Sequence, residues 1–532
     1  MRSAAAVFLL ATLALGFHLH LAGVATGFID PVGRVRSQDE AVYAHSAIRM
    51  AQTAHWLTPG FMGRHALYKP PLLFWLSGLS VGLLGPSPLS LRIPSLLAGA
   101  LAAALLFAWL RPSVSLPAAA AAALLLVSNP LFHRVSRRCL TDALLALCLV
   151  AAMYALSRDP SLARRRSFWA FSALSAAAIL AKGIAGLLPL LILLWFALLR
   201  RRGDHPSARR IAQTALLTAA LAAPWFLYQL AVHPRWFWAE FIGGEIFTFG
   251  LASPYQTSSE SPVVFYLHRL FFTDPLLCLL ALTALPALRG AGVQPASRCH
   301  PPTLLLSWAA VVSAAMLLFQ YRNASYLSLL VPVLALIAVA YGPLFSGRRA
   351  TVAAAALGLV FLIKAASPLR LWGLDFRAGT TVAAAPVLDA YARMHRPNEL
   401  ILVSPDDEFY SAVLPLPRIR YCFIDPADST PSYGPDFRYL GIHVTAAQFL
   451  DLDRWRPVFR QRLRTWNLDA DEPLATALTV RSPAELAALI AASSRSDFFL
   501  PTSLRAALEP PTQATHRAFL ASPDYFFLLT RP

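Results

Sequence analysis

The sequence predicts a polytopic α-helical membrane protein of about eleven transmembrane helices, followed by a C-terminal extracytoplasmic α/β domain. Three observations carry this. Of 532 residues, 57% are hydrophobic and only 14% charged, where a soluble domain usually carries about 25% charged residues. Mean hydropathy is +0.54, and the apolar residues fall in long runs. Residues 367–532 change character: Asp and Glu become common and the long apolar runs stop. One long soluble enzyme is excluded, and so is a disordered chain, because too much apolar surface needs hiding.

A spanning helix needs about 20 apolar residues, with roughly 17 as a lower bound. Candidate spans occupy residues 4–25, 93–110, 116–131, 143–156, 168–181, 184–199, 211–227, 263–288, 302–319, 326–343 and 350–366. The first reads as a helix rather than a signal peptide, because Gly16–Gly27 continues apolar without a small-residue cleavage site. Pro70–Gly85 is short for a span and suits an interfacial helix. Charge decides its place. If it does not cross, Arg164–Arg166, Arg200–Arg202 with Arg209 and Arg210, and Arg348–Arg349 all face the cytoplasm. The N-terminus is then inside. Residues 28–92, 132–142, 228–262 and 320–325, the turn at Lys182 and the C-terminal region are outside. The expected domains are 1–366, membrane-embedded with a first external loop at 28–92, and 367–532.

In the C-terminal region Glu399–Ser404, Arg420–Ile424, Phe498–Leu500 and Tyr525–Thr530 read as strands and Ala484–Ser494 as a helix. Strands alternating with helices give a small α/β domain. The net charge of +18 comes from 46 basic and 28 acidic residues. The basic residues sit in short runs between apolar segments, which is loop topology and not a nucleic-acid surface. The five cysteines show no metal-ligand spacing. Only three basic residues are lysine: Lys69, Lys182 and Lys364.

In the first loop, Ala44, Ala47, Ile48 and Ala51 give helical periodicity. Asp39 and Tyr43 are i,i+4 neighbours there, and Ser37 or Asp39 could be the N-cap. Composition by itself reads Asp39 and Glu40 as residues that complement the helix dipole. Asp142, just before an apolar run, reads equally as a helix cap.

The ordered motifs add a resemblance. Asp39-Glu40-x-x-Tyr43-Ala44, His55–Pro59 (HWLTP) and Tyr68–Trp75 (YKPPLLFW) come first. Arg92-x-Pro94-Ser95, Ser128–Asp142 (SNPLF…RxLTD), Leu180–Gly183 (LAKG), Pro224-Trp225 and Tyr321–Pro332 follow. This set resembles polyprenyl-phosphate-dependent glycosyltransferases of the membrane GT-C class. Within it stand the bacterial aminoarabinose transferases and the dolichyl-phosphate-mannose–protein mannosyltransferase family. The resemblance covers about residues 5–345. It implies an enzyme of the bacterial inner membrane that moves a sugar from a polyprenyl-phosphate donor to an extracytoplasmic lipid, glycan or protein acceptor, with inversion. Asp39 matches the first-loop catalytic aspartate, with Glu40 next in line. Asp142 matches the second-loop T-D motif, orienting a base or sharing a divalent metal with Asp39. Lys69, Lys182, Arg138 and Arg322 are the candidate partners of the donor phosphate. Tyr43 and Tyr68 complete the first-loop site. No cofactor is required by the sequence beyond that candidate metal ion.

Two departures stand out. Tyr68 replaces the glutamate of the aminoarabinose transferases' Glu-Lys-Pro, leaving Glu40 or Glu245 to stand in for it. In 228–262, Gly243-Gly244-Glu245 is followed by Phe247-Thr248-Phe249 with no His or Arg at the matching place. Asp406-Asp407-Glu408 reads as a solvated strand-end turn. His18 and His20 read as hydrogen-bonded packing. Rivals from other classes are a transporter or lipid flippase, and a non-catalytic polysaccharide-binding membrane protein. The first needs paired interrupted helices with midplane charges. The second does not need Asp39, Asp142, Lys69 and Lys182 to meet in space.

Overall fold

The computed structural model describes residues 7, 10–15, 38–61, 64–199, 205–252, 260–290, 302–319, 321–366, 390–391, 393–394, 396–403, 419–424, 478–480, 482–520 and 525–531. Helices fill this chain as far as Ala366, and a β-sheet with flanking helices follows. Most of the expected span 4–25, with His18 and His20, lies outside the described residues, as do Ser37 and Asp406–Glu408.

The first loop opens with helix α1 (Gln38–Thr53), with Asp39 and Glu40 in its first turn, where the helix dipole favours negative charge. A hairpin of β1 (Gly60–Phe61) and β2 (Arg64–His65) leads through Lys69 to α2 (Leu72–Leu84). At 13 residues α2 is about 20 Å long, short of a hydrocarbon core of about 30 Å. Helix α3 (Pro88–Leu110) starts on a capping box, Ser87 with Ser90, and with proline in its first turn. Helix α4 (Leu116–Ser128) breaks at Asn129 into α5 (Pro130–Ser136), a bend of 69°.

Helices α6 (Thr141–Arg158) and α7 (Arg165–Lys182) follow, then α8 (Leu188–Leu199). Between α7 and α8 the chain doubles back. Gly183 has φ +53°, and a Cβ on Gly186 would fall 2.3 Å from the backbone of Ala178, so both positions need glycine. Helix α9 (Ala208–Val232) leads to α10 (Phe237–Ala252), a wide helix of π geometry. Helices α11 (Pro262–Thr273) and α12 (Pro275–Thr283) meet at Asp274, where the span bends by 101°. Helices α13 (Pro302–Leu318), α14 (Val331–Tyr341) and α15 (Gly347–Ala366) close the helical part.

Among the described residues five stretches are long and apolar enough to cross a membrane, or seven when each sharply bent pair counts as one span. The difference from about eleven has physical sources. The expected pair 168–181 and 184–199 counts as one stretch of 35 residues, although the chain reverses inside it. The expected span 302–319 forms a helix of only 17 residues.

The two breaks are joined. Asn129 Oδ1 accepts from the amides of Leu131 and Phe132, each at 3.0 Å, and Nδ2 donates to Asp274 Oδ2 at 2.8 Å. Asp274 Oδ1 in turn accepts from the Leu277 amide at 3.1 Å. Each residue thus caps its own helix and holds the other.

The sheet has the order β5-β4-β3-β6-β8-β7. Strands β3 (Glu399–Val403), β4 (Ile419–Ile424), β5 (Leu478–Val480) and β6 (Ser496–Pro501) run parallel. Strands β7 (His516–Leu520) and β8 (Tyr525–Thr530) add an antiparallel edge. Side chains alternate with the period of two that strands impose. Ile401, Val403, Phe498, Leu500, Phe526 and Leu528 pack with Leu486 and Ile490 of α16 (Pro483–Ala492) and Leu508 of α17 (Arg505–Thr512). The opposite face, Leu400, Leu402, Phe499, Tyr525, Phe527 and Leu529, belongs to the same buried cluster as Val42, Tyr43 and Phe74 of the first loop.

Candidate active site

Asp39 and Glu40 are adjacent on α1, about 100° apart around a helix of 3.6 residues per turn. That rotation gives them different surroundings. Glu40 is fully buried and holds Arg92, with Nε to Oε1 at 2.7 Å and Nη2 to Oε2 at 3.3 Å, while the Cys139 amide donates to Oε1 at 2.9 Å. Burial pushes its carboxyl up, but Arg92, Arg138 and the amide more than reverse this and hold it down to about 2. Ser95 Oγ donates to the Leu140 carbonyl at 3.2 Å, so the Arg92-x-Pro94-Ser95 motif ties the first loop to the segment before α6. Arg138 contributes its charge to Glu40, on this structural side.

Asp39 is accessible at its own side chain, while the surrounding protein mass desolvates its carboxyl. Its carboxyl is raised above the ordinary range by burial, against the lowering charges of Lys69 and Lys182, while Asp142 and Glu245 add to the rise. These four groups and Asp39 therefore share one region. Lys182 Nζ donates to Asp142 Oδ1 at 2.6 Å and stands 4.9 Å over the ring of Tyr326. Lys69 Nζ forms an ion pair with Glu245 Oε1. Asp142 lies in the first turn of α6, but Leu140 occupies the cap position without a side-chain cap. Pairing with Lys182, not capping, is what Asp142 does.

Both lysines line a pocket of about 570 Å³, with Tyr68, Glu245, Tyr321 and Tyr326 at the same polar end. The rest is apolar. Leu187, Leu191, Leu194 and Leu198 recur every three or four residues along α8 and its approach, opposite Val311, Ala315 and Leu318 of α13. These leucines are partly exposed, from 38% for Leu187 to 65% for Leu198. Tyr43 stacks on Tyr68 with ring centroids 6.2 Å apart and meets Phe74 edge-on, which holds both tyrosines beside Asp39. Arg322 does not line the pocket; it donates to the Glu260 carbonyl.

Leu57 and Leu67 are pinned from α9 and α10. Trp225 Nε1 and Gln229 Nε2 donate to the Leu57 carbonyl at 2.7 and 2.6 Å, and Glu240 accepts from the Leu67 amide. Sequence reasoning missed Tyr326 and Arg134, whose Nη2 donates to Ser325 Oγ at 2.7 Å. Tyr326 lay inside the quoted Tyr321–Pro332 motif, and Arg134 stands one turn before Arg138. Among the described residues no three His, Cys, Asp or Glu side chains gather as a ligand set. Asp142 and Glu245 are each neutralised by a lysine. At Asp39 and Asp142, therefore, the described residues supply two carboxylates, one of them paired with Lys182, and no third ligand.

The chain is similar to several known proteins. Residues 68–228 match the dolichyl-phosphate-mannose-protein mannosyltransferase family. An undecaprenyl phosphate-alpha-4-amino-4-deoxy-L-arabinose arabinosyl transferase of Aeromonas salmonicida is 28% identical over 320 residues, 57% of this chain and 54% of that protein. The chain spans about half the length of the curated relatives it matches. The crystal structure of ArnT from Cupriavidus metallidurans in the apo state superposes with a TM-score of 0.68 at 16% identity, over 99% of this chain and 98% of ArnT. The chain has the GT-C fold of ArnT. ArnT bound to undecaprenyl phosphate gives a TM-score of 0.67 at 18% identity, over 98% and 97% of the two chains. An Archaeoglobus fulgidus oligosaccharyltransferase gives 0.51 at 14% identity, over 78% and 64%. The matched residues 68–228 include Tyr68, Lys69, Asp142 and Lys182, whereas Asp39 and Glu245 stand outside them.

Proposed function

We propose that the protein is a membrane glycosyltransferase that takes a sugar from a polyprenyl-phosphate donor and joins it to an acceptor hydroxyl or similar nucleophile with inversion. One observation carries the reading: two lysines sit at the polar end of an otherwise apolar pocket, with Asp39 beside them. That is the chemistry of a lipid with an anionic head. The apolar stripe on α8 and α13 takes the isoprenoid chain, and Lys69 and Lys182 take the phosphate. Asp39 accepts the acceptor's proton as its oxygen attacks the anomeric carbon. The bond from that carbon to the phosphate oxygen breaks, the glycosidic bond forms, and the lysines stabilise the charge that grows on the departing phosphate. Asp142 fixes Lys182. No step is assigned to a metal.

The ArnT fold and the ordered motifs support this reading, as does undecaprenyl phosphate, which the compared ArnT binds. The arginine clusters at 164–166, 200–202 and 348–349 support a cytoplasmic location for those loops. The pocket mouth and residues 367–532 are then extracytoplasmic. The test is reconstitution of the full chain in liposomes with an undecaprenyl-phosphate-linked sugar and an extract of envelope glycolipids and glycans. Mass spectrometry should find free undecaprenyl phosphate and an acceptor heavier by one sugar residue. Movement of intact donor between leaflets without cleavage would favour the flippase and overturn the proposal.

A further inference from the structure

We infer that Glu245 is the exchangeable counter-ion of Lys69: it holds the ammonium while the pocket lacks a lipid phosphate, and gives it up when the phosphate arrives. This rests on the proposed function.

The two lysines differ in how their carboxylates are anchored. Asp142 stands in the first turn of α6, and its side chain is 9% exposed. Its partner ends α7 and is seated on Tyr326. Both come from helix ends packed against each other, and neither can leave without dismantling that contact. Glu245 is 23% exposed and projects from α10. The π geometry of α10 matters here. Hydrogen bonds run from i to i+5, so residues five apart lie on one side. Glu240 and Glu245 are five apart, and both reach the same short stretch: Glu240 takes the Leu67 amide, and Glu245 takes Lys69. Glu240 is buried and serves as the anchor. Glu245, two residues further along the bound stretch, is the contact that can open while α10 stays attached.

Charge supplies the reason for exchange. Glu245 lines the apolar-walled pocket together with both lysines, and Asp39 and Asp142 stand close by, so three carboxylates already face two lysines. A phosphate added beside Glu245 would stand against a like charge in a poorly screened place. Release follows from the same competition. The sugar donor is a phosphodiester with one negative charge, and the product is a monoester with more. Without a competitor the product would stay on the lysines. Glu245, returning to Lys69, displaces it. Glu245 thus acts on Lys69 and not on the reacting atoms, which makes it a positioning residue that sets product release.

The experiment measures binding of undecaprenyl phosphate to the purified full chain and to Glu245→Gln, Glu245→Ala and Glu245→Asp. The Gln and Ala variants should bind about tenfold tighter and release the lipid more slowly, because a close competing charge has been removed. Glu245→Asp, which keeps the competitor, should stay near the wild type. With sugar donor, Glu245→Gln should show a lower KM and a lower kcat together, a split that loss of a merely structural contact does not produce. Equal or weaker lipid binding by both neutral variants overturns the inference while leaving the proposed function standing. Absence of lipid binding by the wild type overturns the proposed function, and this inference with it.

Discussion

Lys182 and Asp142 meet at 2.6 Å where one helix ends and its neighbour begins. The lysine closes α7 and the aspartate opens α6, so the two helices run antiparallel. Each charge also sits at the favourable end of its own helix dipole. The ion pair is thereby fixed by backbone electrostatics as well as by its own attraction, and it presents an ammonium to the pocket without a flexible loop.

Asp39→Asn keeps shape and removes the proposed proton acceptor. Transfer should fall by about a hundred- to ten-thousandfold, the usual weight of a general base, while membrane insertion and the thermal midpoint stay unchanged. Near-normal turnover in the liposome assay would show that another group takes the proton.

Lys69→Ala should cut turnover by on the order of a hundredfold, comparable to losing one oxyanion donor. Lys182→Ala should do the same and also destabilise, because it leaves Asp142 buried without its partner. Lys364→Ala, in α15 and outside the motifs, should change little. Equal activity of all three variants, measured with a saturating donor, would remove the phosphate role of the lysines.

Glu40→Gln tests the neighbour of Asp39 for a different property. Breaking a buried carboxylate–guanidinium pair typically costs about 3–5 kcal/mol, and Glu40 also holds the Cys139 amide. The expected outcome is a much lower thermal midpoint, with the residual folded fraction still active. A stable but inactive protein would instead place Glu40 in the chemistry.

The acid limb of kcat/KM reports the free enzyme's base. In the proposed mechanism Asp39 works deprotonated, and its carboxyl is raised by burial, so activity should fall with decreasing pH already above the ordinary carboxylate range. Glu245 is one of the charges that raise it. Glu245→Gln should therefore shift the limb to lower pH. A shift in the opposite direction would contradict the placement of Glu245 near Asp39.

The helical class was legible because long apolar runs survive any uncertainty about their edges, and the strands at 399–403 and 525–530 because their residues are apolar and β-prone. Strands β5 and β7 were not: β5 has only three residues, and β7, HRAFL, mixes polar with apolar residues. The bends inside 116–131 and 263–288 were passed over as uninterrupted spans. Their signal was present: Asn129-Pro130 and Asp274-Pro275 each put a capping side chain before a proline at the first helical position. In the site, Asp39, Lys69, Asp142 and Lys182 were legible through ordered motifs. Their partners depend on chain segments far apart in sequence. Glu245 is 176 residues from Lys69, and no local pattern pairs them. Arg138 was expected among the phosphate partners; its charge also acts on Glu40, an influence that the packing of α1 against the segment before α6 creates.

The bond between Asn129 and Asp274 welds two elbows into one joint, since a change of angle at either would break a cap at the other. Helix α5 springs from that joint, and its Arg134 braces Ser325, next to the Tyr326 ring beneath Lys182. The tyrosine seat of one lysine thus rests on a rigid footing, while the other lysine is clasped by a separate arm that can let go. A receptor for a long, greasy, charged-tipped molecule needs that asymmetry: a fixed jaw to judge where the head must lie, and a moving one to let it in and out.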